Sequence, residues 1–203
     1  MARPVRRAER REDILAAAIA FIERHDPATL RLTDIAAELG VTANAVRYYF
    51  KDVEALVLEL ALRSDVRFNE DRRATAATIA DPRERLVRVI EAGLPQGRED
   101  AEWRAIWRAF LAAGFELDQR LEVAGIFHRQ VDLYAELLED GAVAGVFTLA
   151  APAHDVATTI MAMEDYLGYR IVARDPAVDR SSALRLMHSY AELAVGTPLP
   201  TPG

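Results

Sequence analysis

The sequence predicts an all-α protein in two parts, three short N-terminal helices followed by a larger helical bundle. Three observations predict it. Apolar residues recur at three- and four-residue spacing along most of the chain, and no stretch alternates with the period of two that marks a half-buried strand. The stretch Leu32 to Lys51, LTDIAAELGVTANAVRYYFK, reads as two short helices joined by a tight turn at Gly40-Val41-Thr42. Charge is unevenly divided. Residues 1–51 hold nine Lys and Arg against seven acids, a net of +2, so the other 152 residues carry −9 and the whole chain −7.

Taken in order, the first helix is expected from near Arg7 to near Arg24, with Ile14, Leu15, Ala18, Phe21 and Ile22 on one face. It breaks at His25-Asp26-Pro27-Ala28, where proline cannot continue the hydrogen-bond ladder. Within the helix pair, Ile35, Ala36 and Leu39 face Val41, Val46 and Phe50. Gly40 can take a positive φ as the first helix ends, and Thr42 can N-cap the second, about Ala43 to Tyr49. Asp52 is expected to cap a fourth helix that meets no glycine or proline before Ala80. That predicts a stiff rod, apolar at Val53, Leu56, Val57, Leu60 and Ala61, then a partly exposed connector from Arg63 to Ala80. Asp81-Pro82 opens the next helix, to about Leu94. Asp100 to Gly114 carries Trp103, Ile106, Trp107, Phe110 and Leu111 in one stripe. Asp118 to Asp140 is long and amphipathic, with Phe127, His128, Tyr134 and Leu138 inward, and is ended by Gly141 and Gly145. Pro152 or Asp155 starts a helix that stops before Pro176. The last helix runs from Ala177 or Ser182 to Val195, leaving TPLPTPG as a frayed tail. The expected domains are 1–51 and 52–203.

Composition narrows the class. Hydrophobic content of 51% suits a chain with a full core, and no apolar run is long enough to span a bilayer. The basic N-terminus MARPVRRAERRED has no apolar stretch behind it, so no secretory signal is read and the cytoplasm is the expected location, with no membrane partner. The absence of cysteine excludes disulfides and thiolate metal sites. His25, His128, His154 and His188 form no H-x-x-x-H pair, and there is no phosphate-cradling glycine loop and no G-x-S-x-G elbow. The expectation is therefore no enzyme, no metal and no cofactor. His128 and Asp132, one turn apart, would make a weak metal pair at best. A small basic part on an acidic body fits a reader of a polyanion.

LTDIAAELGVTANAVRYYFKDVEAL resembles the DNA-binding segment of TetR-family, tetracycline-repressor-like transcriptional regulators, over roughly the first quarter of the chain. The motif I-A-x-x-x-G-V-T, an aromatic-rich end and an acidic cap before A-L carry the resemblance. It implies an N-terminal helix-turn-helix three-helix DNA-binding domain and a C-terminal helical-bundle ligand-binding and dimerisation domain. It also implies a repressor released from a palindromic operator by a small molecule, through a two-state shift in the spacing of two recognition helices. The competing class is a protein-interaction and oligomerisation module that uses the helix-turn-helix for partner contact rather than DNA; steep salt dependence of binding separates the two.

The expected DNA-binding residues are Arg31, Thr33, Thr42, Ala43, Asn44, Arg47, Tyr48, Tyr49 and Lys51. Asn44 and Arg47 have the chemistry to read base edges, adenine and guanine respectively. Thr33, Tyr48, Tyr49 and Lys51, the only lysine, suit phosphates. The sequence departs from the family at two positions: Arg31 stands where a capping Thr or Ser is usual, and Val53 where a phosphate-binding Lys is common. Arg31, Lys51 and the arm arginines would then clamp the backbone. An ordinary polar helix face would carry similar residues.

For the body, Trp103, Trp107, Phe110, Phe127, His128, Met161, Glu164 and Asp165 are the candidate effector contacts, although aromatics at helical spacing also serve as core. Glu164-Asp165 interrupt an apolar helix, and a buried carboxylate there needs a partner: Arg104, Arg108, Arg129 or a cationic ligand. An amine effector is preferred. Two apolar stripes, Val156, Ile160, Met163, Leu167 and Ile171, then Leu184, Met187, Ala191 and Leu193, could meet a second copy as a four-helix bundle, making a homodimer.

Overall fold

The computed structural model describes residues 2–25, 29–65, 69–100, 103–105, 107 and 121–203, and among them there are helices and turns but no strand. The chain forms two compact units. One comprises Met1–Arg63 with Ala101–Gln119, the other Ser64–Asp100 with Arg120–Gly203.

The first unit holds α1 (Ala2–Arg24), α2 (Leu32–Glu38), α3 (Ala43–Arg47) and most of α4 (Val53–Asp65). α1 begins five residues earlier than its apolar face required, because Pro4 falls in the first turn, where its missing N–H has no helical partner to lose. Ile14, Leu15, Ala18 and Ile22 close over Ile35, Ala36, Val46, Phe50, Leu56 and Leu60, every one of them buried. α2 ends in a two-bond lock: Gly40 N–H donates to Ala37 O at 3.2 Å and Val41 N–H to Ala36 O at 2.9 Å. Gly40 sits at φ +62°, where a side chain would be strained. Thr42 caps α3 by accepting Ala45 N–H at 3.2 Å, and Asp52 caps α4 by accepting Ala55 N–H at 2.8 Å. Arg31 has no side-chain acceptor to offer α2. Asp34 reaches back instead and accepts the Arg31 N–H at 3.0 Å.

The second unit holds α5 (Asp71–Ala77), α6 (Pro82–Gly93), α7 (Leu121–Val143), α8 (Ala153–Val172) and α9 (Arg180–Val195). Asp81 caps α6 ahead of Pro82, as the dipeptide predicts. The core gathers Leu86, Ile90, Leu133, Tyr134, Leu138, Ile160, Met187 and Ala191 from four helices.

The rod expected over Asp52 to Ala80 is helical in α4 and α5, and residues 66–68 between them lie outside the described residues. Its second half is partly exposed, as expected, but Asn69, Arg72 and Ala76 are buried. Two expectations need correction. Gly141 does not end α7. It lies inside the helix, where the Phe147 ring occupies the space a Cβ would need, and the chain turns at Gly145 with φ +70°. The C-terminal tail is not frayed. Leu199 is buried and its N–H donates to Glu192 Oε1 at 2.9 Å, His188 Nε2 bonds Pro200 O at 2.8 Å, and Gly203 N–H reaches Glu91. A single leucine flanked by prolines suffices, because prolines lose little entropy on docking.

Candidate nucleic-acid interface and effector site

α3 is a five-residue helix held by its buried side. Val46 and Phe50 lie in the core of the first unit, which turns Thr42, Asn44, Arg47 and Tyr48 outward, and Tyr48 is 68% exposed. Arg31, Thr33 and Lys51 are also on the surface. Ala43 and Tyr49 are half-buried and pack against the core, which casts them as positioners of the helix. Arg47 Nη1 bonds Asn44 Oδ1 at 3.5 Å, so the two candidate base readers present one donor–acceptor face. Tyr48 meets Tyr49 edge to face at 5.1 Å, with the Arg7 guanidinium 5.6 Å above its ring.

The arm arginines are less available than a charge count implies. Arg11 grips Glu59 with two bonds, at 3.1 and 2.9 Å, donates a third to Tyr49 O at 3.2 Å, and lies 4.4 Å over the Phe50 ring. It therefore fastens the end of the outward-facing helix to α1 and α4. Arg10 pairs with Asp13, Arg24 with Glu38 and Arg63 with Glu12. Among the positions expected to hold phosphates, Arg31, Thr33, Tyr48 and Lys51 are open to solvent, Lys51 at 3.7 Å from Asp52.

In the second unit Glu164 is fully buried, and its partner is Arg72, not Arg104 or Arg129. Arg104 pairs with Glu23, Arg129 is exposed, and Arg108 lies outside the described residues. Arg72 Nη1 and Nη2 donate to Glu164 Oε1 and Oε2 at 3.0 and 2.9 Å. The Tyr134 hydroxyl accepts from Arg72 and donates to Glu164, and the guanidinium carbon lies 4.9 Å from the Tyr134 ring centroid. Burial, reinforced by Glu164, holds the Tyr134 phenol protonated well above its usual range. Asp165 is half-buried, and burial, followed by repulsion from Glu164, pushes its carboxyl up to about 7.

The other expected effector contacts are dispersed. Met161 is buried one turn before Glu164, and Phe127 is half-buried on α7. His128, expected inward, is exposed. Trp103 and Trp107 stack at 6.4 Å but belong to the first unit, where Ala105 enters the core. Phe110 lies outside the described residues. Sequence reasoning missed Arg72, Tyr134 as a polar group, and Arg11. Adjacent arginines at 72 and 73 were the one available signal, because a helix of a charged run turns one of two neighbours inward.

A capped helix-turn-helix with an outward polar row, followed in the chain by a helical unit with its own core, is the architecture of a transcriptional regulator of the helix-turn-helix class. Residues 14–60 match the model of bacterial regulatory proteins of the tetR family, and residues 82–196 that of the BetI-type transcriptional repressor C-terminal domain. The chain belongs to the TetR family, with a BetI-type body, and is a ligand-responsive DNA-binding repressor. It is 28% identical over 187 residues to the regulator BetI of Agrobacterium fabrum, covering 91% of this chain and 87% of that one. A transcriptional regulator from Saccharomonospora viridis, crystallised in complex with choline, superposes with a TM-score of 0.78 at 27% identity, covering 91% of this chain and 96% of that one. A TetR-family structure from Rhodococcus sp. shares the fold, with a TM-score of 0.75 at 21% identity over 92% and 99% of the two chains. No described helix is long and apolar enough to cross a membrane.

Proposed function

We propose that the chain acts as a homodimer on a palindromic operator and is released by a small organic cation. Functionally the reader spans 1–51 and the responding body 52–203. The observation that carries the DNA half is the outward row on α3, Thr42, Asn44, Arg47 and Tyr48, braced from behind by Val46, Phe50 and the Arg11–Glu59 grip. Arg47 and Asn44 read bases, while Arg31, Thr33 and Lys51 meet phosphates. Choline in the Saccharomonospora viridis relative, together with the buried Glu164 and the poised Asp165, supports a cationic effector of the choline type over an acidic one.

Of the two apolar stripes read from the sequence, Val156, Ile160, Leu167, Ile171, Leu184, Met187 and Ala191 are buried within the one chain, Met163 is half-buried and Leu193 is exposed, so of the stripes only Leu193 lies open for a second copy. The outward faces of the last two helices carry Thr158, Ala162 and Tyr166 on α8 and Leu186, Ser189 and Leu193 on α9, and these are the proposed contact.

Gel-shift titrations at two salt concentrations test the DNA assignment. Arg47→Ala is expected to lose about 1–3 kcal/mol on the operator and little on random DNA. Lys51→Ala should weaken both alike and lower the salt slope by about 1. Equal losses on both DNAs for Arg47→Ala would strike it from the base readers. Choline added to the operator complex should release the DNA, whereas acetate at equal ionic strength should not.

A further inference from the structure

Glu164 and Tyr134 together have the make-up of a cation receptor: a carboxylate with both oxygens presented, beside an aromatic face, both fully buried. The cation in it is the chain's own. The Arg72 guanidinium, 1% exposed, engages both Glu164 oxygens, takes the Tyr134 hydroxyl as a third contact, and lies 4.9 Å from the ring centroid. We propose that Glu164 and Tyr134 form the cation site of the body and that Arg72 is its resident occupant, which a small ammonium or guanidinium ligand displaces. The proposal rests on the reading that the effector is a cation.

Three observations carry it. The carboxylate has no room to move toward α6, because Gly93 lies against it so closely that even a methyl group there would overlap the Glu164 oxygens. The occupant comes from α5, a helix of seven residues, too short to be stable on its own and held in place by the Arg72 grip, by Ala76 in the core and by the Arg73–Glu136 pair. The site also enforces charge. A neutral or anionic ligand in place of Arg72 would leave Glu164 buried without compensation, whereas a displaced guanidinium regains water as a partner. Arg72 thus acts as a tethered competitor, and a free cation binds with an affinity reduced by the fraction of time the site is vacant.

Calorimetric titration of the full chain tests this, with tetramethylammonium chloride and methylguanidinium chloride as probes and potassium chloride at matched ionic strength as the blank. Arg72→Ala should bind at least one of the two cations about tenfold or more tighter than the wild type, since the competitor is gone. The double variant Arg72→Ala, Glu164→Gln should lose that gain. Equal affinity in wild type and Arg72→Ala, or a gain that survives in the double variant, overturns the proposal. Wild-type binding of tetramethylammonium that neither variant alters would also overturn it while leaving a cationic effector in place. No binding to either protein removes both readings. Should Arg72→Ala not fold, Arg72→Lys keeps a tethered ammonium but loses the two-pronged grip. It is then expected to bind methylguanidinium at least about threefold tighter than the wild type, and no difference overturns the proposal.

Discussion

Asp165 and Glu164 are neighbours in sequence with opposite circumstances. Glu164 faces a guanidinium; Asp165 forms no hydrogen bond or ion pair among the described residues and is held up to about 7 by burial. A carboxyl raised in the folded state stabilises it fully below the ordinary carboxylate range, and that contribution is lost as pH rises through about 7. Asparagine mimics the protonated acid at every pH. Asp165→Asn should therefore match the wild type near pH 4 and exceed it at pH 8.5 by about 2–4 kcal/mol, a Tm gain of at least roughly 4 °C. Thermal melts of both proteins across that range check it, and a constant difference would show that Asp165 does not titrate near neutrality. Arg72 and Glu164 are the contrasting pair. Removing one partner should cost about 3–5 kcal/mol, whereas replacing both with apolar groups of similar volume should cost little.

At the level of elements, the helix-turn-helix is governed by its turn. Gly40 lies at φ +62° with open space where a Cβ would stand, so Gly40→Ala meets only backbone strain. It should lower stability by about 1–2 kcal/mol, and Thr42→Ala by about 1 kcal/mol through the lost cap. Chemical denaturation followed by circular dichroism measures both; a loss below about 0.3 kcal/mol at Gly40 would mean the turn relaxes to another conformation. These features were legible in the sequence because each is written in a few adjacent residues: Gly40 and Thr42, Asp52, Asp81-Pro82. The outward row of α3 was legible for the same reason, its buried counterpart Val46 and Phe50 standing within one turn. What was not legible spans long separations. Arg11 meets Glu59 across 48 positions and Arg72 meets Glu164 across 92, and no local pattern announces which of 25 cationic residues will be drawn inward. The same limit explains the stripes on α8 and α9. Periodicity found their apolar faces but could not say that α6 and α7 of the same chain would cover them.

At the scale of the whole molecule, one five-residue helix is too small a reader to be selective. Each mismatched base pair costs about 1–3 kcal/mol, and a half-site offers few, so in the proposed dimer two copies spaced about 34 Å apart along the duplex would supply the operator discrimination. Association then becomes part of DNA affinity, and a residue far from the DNA can govern it. Leu193, 78% exposed on α9, and Tyr166, 59% exposed on α8, are large apolar side chains left outside the core. In a monomer, replacing them with charge is nearly free, because surface substitutions stay within about 0.5 kcal/mol. In a dimer, the same charge would lie buried against its symmetry mate, twice over. Leu193→Arg with Tyr166→Glu is therefore expected to leave the melting temperature of the isolated chain within roughly 2 °C while converting the dimer to a monomer by light scattering at micromolar concentration. Operator affinity should fall about 100-fold or more, and affinity for random DNA should change far less, since phosphate contacts are made one protomer at a time. A double variant that remains dimeric would move the contact to another face. A monomeric variant with undiminished operator affinity would mean that a single copy reads the site, and the symmetric operator would have no role.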